Sequence, residues 1–150
     1  MPNETDTPTL FSLNDEPYDV KDPAEDVRNR GVVDRNGDEI GTVDDLLIDD
    51  REHKVRFLRI KEGGFLGIGA RHRLIPVDAV TRITEDTVAI DQTGEQVGSA
   101  PEYDPKVAAD DAWRQEAFRD DGYFPGLYRH YGYNPFWAPG YVYPGYPFYV

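Results

Sequence analysis

The stretch GGFLGIGARHRLIP, residues 63–76, is where this chain comes closest to phosphate chemistry: four glycines among apolar residues, then a basic cluster. Glycines fall at 63, 64, 67 and 69. A dinucleotide-binding turn needs G-x-G-x-x-G after a strand and opening a helix, because the pyrophosphate rests on the helix N-terminus. Counted from Gly67, the third glycine falls at His72. The following residues are strand-like, with Pro76 soon after, so no helix is offered. There is no Gly-Lys-Ser/Thr either, which excludes a P-loop. The reading that remains is a connection between two strands, with Phe65, Leu66 and Ile68 as its apolar tip. That tip either closes the core or forms a contact surface.

Other chemical candidates are weaker. Asp34, Asn36 and Asp38 match the first three positions of a calcium loop, but Glu39 stands where the turn needs glycine and Asp45 replaces the final glutamate. A solvated turn is expected. His53, His72 and His130 share no ligand spacing, and Ser12 and Ser99, the two serines, lie in no nucleophile elbow. Strand alternation sends Asp44 and Asp45 to opposite faces, where they cannot act together. Arg71-His72-Arg73 suits phosphate or an acidic protein, yet such clusters more often pair with carboxylates of their own chain. Nothing here assembles a catalytic set. The expectation is no enzyme, no cofactor and no metal site.

The elements that must position these residues follow from composition. The chain has 150 residues, 29 acidic against 16 basic side chains and a net charge of -13. That balance argues against nonspecific nucleic-acid binding, which requires a basic face. The absence of cysteine removes disulfides and thiolate chemistry. The acidic, polar N-terminus is unlike a signal peptide, and no segment reaches the roughly 20 apolar residues of a membrane span. The expectation is a cytoplasmic protein without membrane association.

Residues 1–25 read as an acidic irregular segment whose Leu10, Phe11 and Leu13 dock onto the core. Residues 26–92 read as five or six short strands with turns at Asn36-Gly37, at Asp49 to Glu52 and at Glu85-Asp86. In Val55 to Ile60 the apolar residues switch phase between Phe57 and Leu58, which suits a bulge or a strand covered on both sides. Residues 93–121 read as a linker and one short helix over 104–122, capped by Asp104, with Ala109, Trp113 and Ala117 on one stripe and Gly122 as its stop. Residues 122–150 hold twelve aromatic residues, five prolines and five glycines. They read as an irregular tail that packs on its own barrel, binds a partner, or does both by exchange in a homodimer. Its loss is expected to leave a folded β domain.

The span from Asp26 to Asp91 resembles the PRC-barrel family. The residues that carry the resemblance are Gly31-Val32-Val33 before Asn36-Gly37, then Ile40-Gly41, Val43 to Asp49 and Val55 to Ile60. Gly67-Ile68-Gly69 and Ile75-Pro76-Val77 complete it. That family includes the cytoplasmic domain of the photosynthetic reaction centre H subunit and the C-terminal domain of the ribosome maturation factor RimM. The resemblance implies a mainly β fold: a small antiparallel barrel, here followed by a short helix and the Tyr/Pro/Gly-rich tail. It implies a non-catalytic protein-interaction or assembly module, stress responses being among the roles the family suggests. The second reading is an accessory factor in RNA processing or ribosome maturation acting through a ribosomal protein. The candidate partner contacts are Phe65, Leu66, Ile68 and Trp113, with Tyr128, Tyr131, Tyr133, Phe136, Trp137, Tyr141, Tyr143 and Tyr146 of the tail. The protein partner is unknown.

Overall fold

Val, Ile, Thr and Phe recur through the segments 31–62 and 71–90 and favour strands there. The computed structural model describes residues 8–15, 26–62 and 71–144 and places seven strands in one sheet. They are β1 (Leu10–Ser12), β2 (Gly31–Val33), β3 (Glu39–Asp49), β4 (Val55–Glu62), β5 (Arg71–Pro76), β6 (Val80–Ile83) and β7 (Thr87–Ile90). Hydrogen-bonded neighbours run β5-β4-β3-β2-β7-β6, with β1 added on β3. Strand β3 organises the sheet: β2 and β1 pair with its two halves along one edge, and β4 pairs along the other.

The expectation of an antiparallel barrel needs two adjustments. β2 and β7 are parallel, because the chain passes through β5, a 3-10 turn at Val77–Ala79 and β6 before β7 enters beside β2. Among the described residues the pairings do not close on themselves; the two ends of the path, β5 and β6, are joined by that covalent turn.

The turn between β2 and β3 is at Asn36-Gly37, with Gly37 at φ +86°, a conformation that favours glycine. Asp34 holds it. Its Oδ1 accepts from the backbone N–H groups of Asn36 and Asp38, each at 2.9 Å, and its Oδ2 from that of Gly94 at 2.9 Å. These backbone donors, Asp38 foremost, keep its pKa below the usual carboxylate range. The first carboxylate of the calcium-loop-like spacing, in the turn expected to be solvated, is therefore engaged by the backbone. The core beneath includes Val32, Val43, Leu58, Ile60, Leu74 and Val88, each at 0% solvent exposure.

The helical region is corrected in extent. Helix α1 (Gly94–Gly98), capped by Thr93, lies in what reads as linker. The single helix expected over 104–122 is two: α2 (Pro105–Ala108), capped by Asp104, and α3 (Asp111–Ala117), capped by Asp110. Asp110 accepts from the Ala112 N–H at 2.8 Å, and such a side-chain acceptor competes with continuation of the preceding helix. Ala109 is consequently exposed, whereas Trp113 and Ala117 face the core. Gly122 is no stop but the N-cap of α4 (Tyr123–Tyr131). A Cβ there would lie 2.3 Å from the Glu116 carbonyl, so only glycine lets α4 abut α3.

Helix α4 lies inside the tail read as irregular. Pro125 falls in its first turn, where the missing N–H has no intrahelical partner to lose, and Gly132 at φ +82° ends it. Phe124, Leu127, Tyr128 and Tyr131 recur at helical spacing and are all buried. Truncation at residue 121 would remove these four from the core. The expectation that the β domain survives it is replaced by one of unfolding.

Candidate interaction surface

The β3–β4 ladder carries two compensating one-residue bulges. Val43 pairs with Ile60 and Asp45 with Arg59, so Asp44 is the extra residue on β3. Leu47 pairs with Phe57 and Ile48 with Val55, so Arg56 is the extra residue on β4. A bulge breaks strict alternation and re-aims side chains. Each of these two gathers charged groups that alternation would have separated.

At the first bulge, Asp44 and Asp45 converge on Arg59, contrary to the expectation that they face apart. Arg59 Nε donates to Asp44 Oδ1 at 3.0 Å, and its Nη1 lies 3.4 Å from Asp45 Oδ2. Asp45 is fully buried. It also accepts from the Ser12 hydroxyl and, at 3.0 Å, from the Asn14 backbone N–H. The N-terminal segment is thereby tied to the sheet. His72 Nδ1 stands 3.2 Å from Asp44 Oδ2, an ion pair when His72 is protonated, but without hydrogen-bond alignment. Arg73 pairs with Glu62 at 2.8 Å and donates to the Ala100 carbonyl at 2.6 Å. Two of the three residues of the basic cluster thus face carboxylates of this chain.

At the second bulge, Arg56 is 4% exposed. Its Nε donates to Asp49 Oδ2 at 2.6 Å and its Nη2 to Glu52 Oε2 at 2.6 Å. Asp49 Oδ1 meanwhile accepts from the Arg51 and Glu52 N–H groups and fixes the β3–β4 turn. The face of the guanidinium lies 4.6 Å from the Phe136 ring centre, 5.4 Å from that of Tyr143 and 5.8 Å from that of Tyr141. These are cation–π distances. Tyr143 donates to the Val55 carbonyl at 3.3 Å, and the Lys54 ammonium sits 4.9 Å over its ring. Phe57, beside Arg56, packs on Phe124, Tyr128 and Phe136. Strand β4 is therefore both bulged and covered on both faces, the two alternatives that its phase switch raised.

The aromatic residues singled out from sequence divide by depth. Tyr128 and Tyr131 are core residues, at 1% and 6% exposure, and have no surface left for a partner. This corrects their reading as partner contacts: helical spacing turns them inward. Trp113, Tyr133, Phe136, Trp137 and Tyr143 are partly buried against that core, and Tyr141 is half-buried. Phe65, Leu66, Ile68 and Tyr146 lie outside the described residues. The Tyr133 hydroxyl donates to Asp91 and accepts from Gln92 Nε2 at 2.7 Å. Burial raises the phenols throughout: Tyr103 is pushed up to about 12, and Tyr128, Tyr141 and Tyr143 also rise. Asp78, beside Tyr141, is raised too, burial being the largest cause.

The outer edge of β5 is guarded by residues that follow the sheet in sequence. The Tyr103 N–H donates to the His72 carbonyl at 3.0 Å and the Tyr131 hydroxyl to the Leu74 carbonyl at 3.2 Å. What sequence reasoning missed, chiefly Arg56 with Asp49 and the convergence of Asp44 with Asp45, had a visible sign. Two acids in mid-strand followed by Leu46-Leu47-Ile48 break the period-two pattern, as a bulge does.

The segment that forms strands β2 to β7 matches a family model. That model, of the PRC-barrel domain, matches residues 20–97. The chain belongs to the PRC-barrel family. No curated protein matches it. Membership points to a protein-interaction or assembly module and to no enzymatic family. The matched span ends within α1, so α2, α3, α4 and the strap at residues 133–144 lie beyond it. No helix among the described residues is long and apolar enough to cross a membrane.

Proposed function

We propose that this PRC-barrel protein is a non-catalytic interaction module: a β-sheet body that presents an acidic helical shoulder to a basic protein. One observation carries the reading. The buried charged residues among those described, Asp34, Asp45, Asp49, Arg56 and Arg73, each engage backbone or an opposite charge of the same chain. Their chemistry holds segments together and directs none of them at a substrate.

The shoulder supplies the surface. Glu102, Asp104, Asp110, Asp111, Glu116, Asp120 and Asp121 are exposed over α2, α3 and their flanks, against Lys106, Arg114 and Arg119. Arg114 is itself paired with Asp111 at 2.8 Å. Ribosomal proteins are one class of basic partner that fits, which keeps the ribosome-maturation reading as the second one. Full-length protein used as bait in native lysate, with mass spectrometry, tests both. A defined basic partner should be recovered and should be lost when Asp110, Asp111, Asp120 and Asp121 are changed to Asn. Equal recovery by both baits, or recovery of nothing but the chain itself, would reject the shoulder as the working surface.

A further inference from the structure

We infer that the face of β4 carrying Arg56 is a docking groove for an aromatic, Pro/Gly-rich strap. In this chain residues 133–144 fill it in cis, and the groove can take the same strap from a second copy. The inference rests on the interaction-module reading but concerns a different surface from the acidic shoulder.

The groove is built without the strap. Arg56 is fixed from one side by Asp49 and Glu52, both at 2.6 Å, so its open face keeps its orientation whatever lies on it. Phe57 is held from the other direction by Phe124 and Tyr128 of α4, which belong to the core. A receptor that is preorganised loses little freedom on binding.

The strap is built to leave. It forms no ladder with any strand among the described residues; its backbone bonds are local, Tyr133 N–H to the Tyr128 carbonyl at 3.2 Å, Ala138 N–H to that of Pro135 at 3.0 Å and Tyr141 N–H to that of Ala138 at 3.2 Å. It begins beyond Gly132 at φ +82° and turns again at Gly140, also at φ +82°. Its rings are only partly buried, in contrast to Leu127 and Tyr128 just before it. The seam also has the composition of a protein interface and not of a core. Phe136, Tyr141 and Tyr143 meet an arginine, Trp137 packs on Phe118 and Tyr128, and the strap's one aliphatic side chain larger than alanine or proline, Val142, points out at 80% exposure. Tyr, Trp and Arg are the residues that dominate binding energy between proteins.

Tethering gives the cis strap an effective concentration in the millimolar range, so the native chain stays closed and monomeric at micromolar concentration. Exchange becomes visible when each copy lacks a different half of the seam. One full-length variant keeps the strap and loses the groove (Arg56→Ala). The other keeps the groove and loses the strap (Phe136→Ala with Tyr143→Ala). Each alone should sediment as a monomer, and an equimolar mixture at tens of micromolar should yield a 1:1 dimer. A mixture that remains monomeric, with both variants folded by circular dichroism, overturns the inference.

A second measurement covers the case in which Arg56→Ala does not fold. A synthetic peptide spanning residues 133–144 is titrated into the strap variant. Saturable binding is expected, weakened roughly tenfold or more when the peptide carries the same two alanines. Absence of binding, or equal binding by a scrambled peptide, overturns the groove. Peptide binding without pairing of folded variants would overturn the second copy as occupant. None of these failures touches the lysate experiment on the acidic shoulder.

Discussion

The two bulges of the β3–β4 ladder use one device to opposite ends. At Asp44, two neighbouring carboxylates share one arginine, and the cluster is polar, partly wet and tied to the N-terminal segment. At Arg56, one guanidinium serves two carboxylates and three aromatic rings; Arg56 and Asp49 are buried, Glu52 is exposed, and the cluster is tied to the C-terminal strap. The first has a spare acid; in the second Lys54 lies 3.6 Å from Glu52, and Asp49 is paired with Arg56. Redundancy of charge, more than burial alone, should decide how much each clamp loses when one member is removed.

Alkali tests the contrast most severely. Tyr128, Tyr141 and Tyr143 surround the Arg56 side, and burial raises all three. Tyr103, near Arg59, is pushed up to about 12 by burial. A raised folded pKa favours the protonated native state, so this stability is whole below a pH of about 10 and is lost as pH rises through the folded values. Phenolate absorbance and loss of circular dichroism should therefore rise together in one transition. Phenolate appearing while the fold persists would show that these rings are not clamped.

Single substitutions come next. Arg56→Ala strands the buried Asp49 and should cost about 3–5 kcal/mol in urea unfolding. Asp45→Ala removes the acceptor for Ser12 and Asn14 but leaves Arg59 its Asp44, so a loss of about 1.5–3 kcal/mol is expected. A larger loss at Asp45 than at Arg56 would break the redundancy argument. Asp34 has a lowered pKa, so its contribution is present above a pH of about 4 and fades as pH falls through the folded value. Asp34→Asn should flatten that acid limb, measured as the urea midpoint against pH. Arg114→Ala, which breaks an exposed pair on α3, should change stability by less than about 1 kcal/mol and serves as the control.

The β half of the molecule was largely legible. Asn36-Gly37, the acidic turn at Asp49 and Glu85-Asp86 all mark real reversals, because turn chemistry is local. The docking of Leu10 and Leu13 was legible from their isolation in a polar segment, and both are buried. The bulges were half legible: the phase switch in β4 showed, but Asp44-Asp45 was read by alternation, which a bulge suspends. Composition misled in the tail. Proline and glycine counts suggested irregular chain, whereas position decides: Pro125 sits in a first turn, Gly122 at a cap and Gly132 at an end. The split at Asp110 escaped because an internal aspartate looks like surface charge until its carboxylate is seen to cap a new helix.

The guard on the β5 edge arrives late in synthesis. Leu74 and His72 are made about 55 residues before Tyr131 and about 30 before Tyr103, which satisfy their carbonyls. At about 5–20 residues per second, that edge stands open for roughly 3–10 s on a growing chain. A nascent chain is thus most vulnerable to strand-to-strand association before α4 emerges. Slowing translation between residues 76 and 131 should lower soluble yield without changing the stability of the finished protein.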